Sequence, residues 1–154
     1  MSDPRTDSLS IDLYNQPGHL IRRAHQIAVS MFHERIGKGV TPVQYAVLRM
    51  LQERPGIDQV TLAQQVLLDT STTADIAVRL ESKGLIARKV LSRGQRSLSL
   101  TPQGEELLAK LVTGVHALQD DLLQRFEARE RAEFLRLLRK FSNLAASGAG
   151  NDPA

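Results

Sequence analysis

The sequence predicts a mainly α fold with one small β-hairpin: a helix-turn-helix followed by a hairpin wing, flanked by N- and C-terminal helices that pair two copies of the chain. Three observations carry this reading. Residues 61–83, TLAQQVLLDTSTTADIAVRLESK, spell a short helix, a tight turn and a second helix. After them the apolar period changes from helical to alternating around the polar turn Ser92-Arg93-Gly94-Gln95-Arg96. On either side lie amphipathic stretches with more apolar face than so small a centre can cover.

In chain order, residues 1–10 and 147–154 are polar and are expected to be disordered tails. A helix runs from Pro17 to Ile36, with Pro17 in the first turn and Gly37 as its stop. Leu20, Ala24, Ile27, Met31 and Arg35 form one stripe, with Ile21, Ala28 and Phe32 beside it. The other face carries His19, Arg23, Gln26, Ser30 and His33, with Arg22 and His25 adjacent. It reads either as a solvated face or as a set of donors and positive charge for an anionic ligand. Thr41-Pro42-Val43-Gln44 starts a second helix as a capping box with Pro at its first position. Its expected buried side is Val43, Ala46, Val47, Met50 and Leu51, and Arg54-Pro55-Gly56 ends it. Ile57 to Val60 is either a short strand or an extended lead.

Within the helix-turn-helix, Thr61 and Gln64 suggest a capping box and Asp69 a fresh N-cap. Ile76, Ala77 and Leu80 should face inward, and Gly84 suits a left-handed stop. Ser71, Thr72 and Asp75 then point outward, with Arg79 one turn on. Short polar groups at the start of a helix can approach base edges in a major groove, where bulky apolar ones would block it. A merely solvated polar face has the same pattern. The hairpin that follows has Leu85 to Leu91 and Ser97 to Leu100 as strands, with Arg88 and Lys89 on the first and Arg93 and Arg96 at the tip. Cations on a protruding hairpin suit phosphate contact or minor-groove insertion, although charged edges also resist aggregation.

Thr101-Pro102 starts a long rod with Leu107, Leu108, Leu111, Val115, Leu118, Leu122 and Phe126 at intervals of three and four. A last helix spans about Ala128 to Leu144, with Phe134, Leu137, Leu138, Phe141 and Leu144 as its stripe. The domain organisation expected is a helical dimerisation region of residues 11–36 and 101–146 around a DNA-binding region of residues 41–100. Pairing of two copies would set twin reading helices roughly 34–36 Å apart on a palindromic site.

Composition narrows the classes of function. The chain has 154 residues, is 42% hydrophobic and 4% aromatic, and contains no Trp. So few rings argue against a stacking platform for single strands or RNA. A net charge of +3 is consistent with a polyanionic partner. With no Cys there are no disulfides, thiol redox sensors or Cys-ligated zinc in the chain. His25 and His33 are too far apart for a simple chelate, and no metal site is expected. No nucleophile–base motif or Gly-rich phosphate loop is visible, so neither catalytic residues nor a cofactor are expected. No membrane span or signal-peptide core is seen, and a cytoplasmic location is expected.

TPVQYAVL at 41–48, TLAQQ at 61–65, LDTSTTADIAVRLESKGLIAR at 68–88 and LSLTPQGEELL at 98–108 together resemble the MarR family of winged helix-turn-helix transcriptional regulators. PGHLIRRAHQ at 17–26 is similar to a subgroup that responds to aromatic acids, the hydroxybenzoate- and nicotinate-type catabolic regulators. The resemblance implies that Thr70, Ser71, Thr72, Thr73, Asp75 and Arg79 lie on the groove-reading helix and that Arg96 is the wing arginine. The family has an aspartate two residues before that arginine; Gly94 stands there in this chain, and Arg93 is a second candidate. The resemblance also implies a ligand pocket to which Tyr14, His19, Arg22 and Arg23 contribute. The function implied is a regulator, a repressor, that binds a palindromic double-stranded DNA operator as a homodimer and is released by a small aromatic carboxylate. The alternative is a winged-helix protein acting as a DNA-binding module without ligand gating, or as a protein-interaction module.

Overall fold

The computed structural model describes residues 12–144. A short 3₁₀ turn, Leu13–Asn15, precedes α1 (Pro17–Ile36), α2 (Pro42–Glu53), β1 (Ile57–Asp58), α3 (Gln59–Gln65), α4 (Thr70–Ser82), β2 (Ile86–Val90), β3 (Arg96–Leu100), α5 (Pro102–Leu123) and α6 (Ala128–Phe141). The fold is mainly helical with one small antiparallel sheet. The tails expected at 1–10 and 147–154 lie outside the described residues. The chain divides into two units after Leu118, within α5.

The first unit is built on one apolar cluster. Val47, Leu48 and Leu51 of α2, Leu62 of α3, Ala77 and Leu80 of α4, Ile86 and Leu98 of the sheet and Leu108 of α5 meet in it. Helix α2 starts as expected: Gln44 N–H donates to the Thr41 hydroxyl, and the Thr41 N–H donates to the Gln44 side chain. That box draws Gln44 in, and the buried side becomes Gln44, Val47, Leu48 and Leu51, whereas Val43 and Ala46 are exposed. The expected stripe is thus rotated toward Leu48.

Three further expectations change. The sheet has three strands, in the order β1-β3-β2, because Ile57 and Asp58 pair antiparallel with Leu98 and Ser97. Helix α3 begins at Gln59, and its cap is Asp58, whose carboxylate accepts from the Thr61 N–H at 2.9 Å. Thr61 and Gln64 therefore lie inside the helix rather than forming a capping box. Helix α5 ends at Leu123, so Phe126 lies beyond it and stacks on Phe134 at 4.8 Å within the second unit.

Glycine acts at two joints. Gly84, at φ +75, ends α4: its N–H donates to Glu81, and Leu85 N–H reaches back to Leu80. Next to it, Thr101 N–H donates to the Leu85 carbonyl, and its hydroxyl donates to the Gly84 carbonyl at 2.6 Å. Gly104 packs directly on this joint; a Cβ there would lie 2.2 Å from the Leu85 carbonyl oxygen. The contact is to backbone and cannot be relieved by a rotamer change. Gly104→Ala should therefore destabilise the chain by about 2 kcal/mol or more, read as a drop in Tm. Gly18→Ala is the control, since that Cβ meets nothing within 4 Å.

Candidate nucleic-acid interface

Asp69 opens α4. Its carboxylate accepts from the backbone N–H and the hydroxyl of Thr72, both at 2.7 Å, so the first turn is locked before any partner arrives. These two bonds hold the Asp69 carboxyl below its ordinary pKa. Thr70, Ser71, Thr72, Asp75 and Arg79 are exposed, and Val78 adds an exposed apolar group to the helix. Thr73 does not share this face. It is 1% exposed, and its hydroxyl donates to the Asp69 carbonyl at 2.9 Å. Spacing explains it: Thr73, Ala77 and Leu80 recur at helical intervals and all point into the core. Thr73 is thus a structural residue of α4.

The wing is the β2–β3 hairpin, with Val90 opposite Arg96 and Arg88 opposite Leu98. Its tip is closed by the Leu91 N–H to Gln95 carbonyl bond and the Gly94 N–H to Leu91 carbonyl bond. Gly94 has φ +72, a conformation that glycine adopts without strain. The glycine that stands where an aspartate was expected is therefore the residue that shapes the turn. Arg93 and Arg96 are exposed. They line a shallow cavity of about 260 Å³ with Asp58, Gln59, Val60, Gly94 and Gln95. Hydrogen bonds from Thr61 hold the Asp58 carboxyl below its ordinary pKa.

Arg88 stands apart from this exposed pair. Its Nε and Nη2 donate to the two Glu81 oxygens at 3.1 and 2.9 Å. Its side chain is only 18% exposed, against 40% for Glu81. Arg88, expected among the DNA-contacting residues, is thus paired within the chain to the end of α4.

The residues expected to bind an anion lie on and before α1. Tyr14 and His19 meet edge to face at 5.9 Å, and the Arg23 guanidinium lies 5.5 Å from the Tyr14 ring centroid. The structure brings these three together, while Arg22 is exposed on the neighbouring face of the helix. His33 points its Nδ1 at the Gly37 carbonyl, at 3.2 Å, and serves the end of α1. A separate cavity of about 440 Å³ was not foreseen. It lies between α2 and α5, lined by Tyr45, Arg49, Gln52, Leu108, Ala109, Val112, Val115 and His116. Its floor is apolar, and Arg49 and His116 bring donors to it. Arg49 also pairs with Glu53 at 3.0 Å and with Gln52. The sequence signal was faint: a His within the apolar stripe of α5 and an Arg on the outer side of α2. Among the described residues no group of three or more His, Asp or Glu could hold a metal ion, and no helix is long and apolar enough to cross a membrane.

Comparison with known proteins places these features in a family. The MarR family model matches residues 40–98. The transcriptional regulator HosA of Escherichia coli is 30% identical over 133 residues, covering 85% of this chain and 98% of HosA. The crystal structure of the PcaV transcriptional regulator from Streptomyces coelicolor, in complex with its natural ligand, superposes with a TM-score of 0.82 at 32% identity, covering 89% of this chain and 99% of PcaV. Bordetella bronchiseptica BpsR, whose DNA binding is regulated by 6-hydroxynicotinic acid, superposes with a TM-score of 0.79 at 28% identity, covering 86% of this chain and 98% of BpsR.

The Asp69 cap makes a pH prediction. Because its carboxyl titrates lower in the folded chain than in the unfolded one, its contribution is complete above about pH 5 and is lost as pH falls through the folded pKa, below the ordinary value of about 3.9. Asp69→Asn, which keeps an accepting cap, should lower Tm at pH 7, and its deficit relative to the parent should shrink toward pH 3. A deficit independent of pH would show that the charge of Asp69 does not support the cap.

Proposed function

The chain belongs to the MarR family, whose members regulate transcription and are not enzymes, and from that premise we propose that it is a repressor that binds a palindromic operator as a homodimer and is released by a small aromatic carboxylate. The observation that carries the reading is the pairing of two exposed elements on one core. A pre-locked helix start presents Thr70, Ser71, Thr72, Asp75 and Arg79. A three-stranded sheet presents Arg93 and Arg96 beyond it. The short side chains suit base edges in a major groove, and the two arginines suit phosphates or the narrow minor groove beside it.

Residues 41–100 form the DNA-binding region in this reading. The flanking segments 11–36 and 101–146 pair two copies, the part of this assignment beyond residues 12–144 resting on sequence alone. Leu20, Ile21 and Ile27 of α1 are exposed, and so are Leu137, Leu138 and Phe141 of α6. Apolar stripes of this kind are costly to leave in water, and a second copy would cover them by a twofold contact.

Two places suit the carboxylate. Tyr14, His19 and Arg23 offer a ring, a ring nitrogen and a guanidinium together. The α2–α5 cavity offers apolar walls for a ring and the side chains of Arg49 and His116 for an acid group. The ligand-bound PcaV supports a small-molecule effector, and the 6-hydroxynicotinic acid response of BpsR supports one of this class. Such a molecule releases DNA by binding more tightly to a dimer whose reading helices are wrongly spaced.

The test is binding to a duplex containing the upstream region of its own gene, with and without hydroxybenzoate and 6-hydroxynicotinate. Arg96→Ala should weaken binding about tenfold, the loss of one good arginine contact; an unchanged affinity would remove the wing from the DNA. The pair His19→Ala and Arg23→Ala should leave DNA binding intact and abolish release by the acid. Normal release by that double variant would take the α1 cluster out of the effector site.

A further inference from the structure

We infer that Glu81 is a specificity-determining residue that acts through Arg88: it withholds a wing cation from indiscriminate phosphate contact and ties the wing to the reading helix. Glu81 lies in the last turn of α4 and Arg88 in the middle of β2, so their bidentate pair spans the joint between the two elements that face DNA. This inference rests on the DNA-binding reading of that region given above.

The geometry is that of a clamp. Two parallel N–H···O bonds fix the guanidinium plane as well as its position, which a single contact would not. The pairing is mutual: the hydrogen bonds from Arg88 hold the Glu81 carboxyl below its ordinary pKa, and Glu81 raises that of Arg88. Arg88 Nη1 is buried with no hydrogen-bond partner, so the side chain leaves both N–H groups of that nitrogen unpaired in this arrangement. Arg93 and Arg96 on the same hairpin are exposed. Arg88 is thus the wing cation held in a bidentate pair, while Arg93 and Arg96 stay exposed and Arg96 feels the Glu81 charge only at longer range.

The division has a consequence for binding. A cation that meets any phosphate raises affinity for every sequence alike, because phosphate contacts carry no base information. Holding Arg88 lowers that common affinity, while fixing the angle between wing and reading helix favours the one site where both fit. Removing the Glu81 charge should thus strengthen non-specific binding and weaken discrimination, an opposition that simple loss of folding does not produce.

The test uses the full-length protein and two duplexes of equal length: one selected from a random pool by the parent protein, the other its scrambled sequence. Affinity is measured by fluorescence anisotropy across a series of KCl concentrations. Glu81→Gln should bind the scrambled duplex several-fold more tightly, and its slope of log K against log salt should steepen by about 0.9 for each Arg88 released. The selected-to-scrambled ratio should fall. Adding Arg88→Met to Glu81→Gln should return the slope to that of the parent. Glu106→Gln, which removes an equal charge from the Lys110 pair on α5, should leave the slope unchanged. If Glu81→Gln folds poorly, Glu81→Asp, which keeps the charge and breaks the bidentate geometry, should show the lower ratio. An unchanged slope and ratio, or equal weakening on both duplexes, would overturn the inference; selection of a preferred duplex by the parent reports separately on the DNA-binding reading.

Discussion

The backbone joint at Gly84 and Leu85 is the constraint on which the first unit depends. The reading helix ends there, the wing begins there, and α5 starts against it. Leu85 donates back to Leu80 and accepts from Thr101, Gly84 accepts from the Thr101 hydroxyl, and Gly104 leaves no room for a side chain. Three elements are thus fixed by main-chain bonds around two residues. Leu80, Ile86, Leu98 and Leu108 fill the core beneath it. A shift of α5 cannot leave the helix end and the wing root untouched, which is what the proposed release by a ligand requires.

Much of this was legible because it is local. Thr41, Pro42 and Gln44 announce a capping box in four residues, Asp69 caps the reading helix, and Gly84 stops it. The failures were of two kinds. Some came from long-range pairing: a short strand from Ile57 was one of two readings left open, and its pairing of Ile57 and Asp58 with Leu98 and Ser97 is specified by nothing near Ile57. The α2–α5 cavity likewise joins Tyr45 and Arg49 to His116 through tertiary packing. Others were readable and missed. Thr73 shares the period of Ala77 and Leu80, so its burial follows from the same count that placed them inside. Asp58 competes with Thr61 for the start of α3 and wins as the stronger cap, accepting from Thr61 itself.

Charge placement gives the interface its character. The formal charge of +3 is small for a nucleic-acid partner, so the distribution of cations matters more than their sum. Arg93 and Arg96 are open on the wing, Arg88 is held by Glu81, and Arg49 is shared among Glu53, Gln52 and the cavity wall. Around the start of α4 the polar groups are short and neutral apart from Asp75, with Arg79 and Glu81 further along. A surface of this kind suits the proposed groove readout by shape and hydrogen bonding, with a few cations to anchor it.

The most direct measurement is a hydroxyl-radical and base-methylation footprint of the protein on a duplex that it selects. The account predicts two symmetric major-groove contacts with centres about 10–10.5 base pairs apart, each flanked by protection of the neighbouring minor groove. A single unpaired half-site, or even protection that follows no sequence, would contradict it.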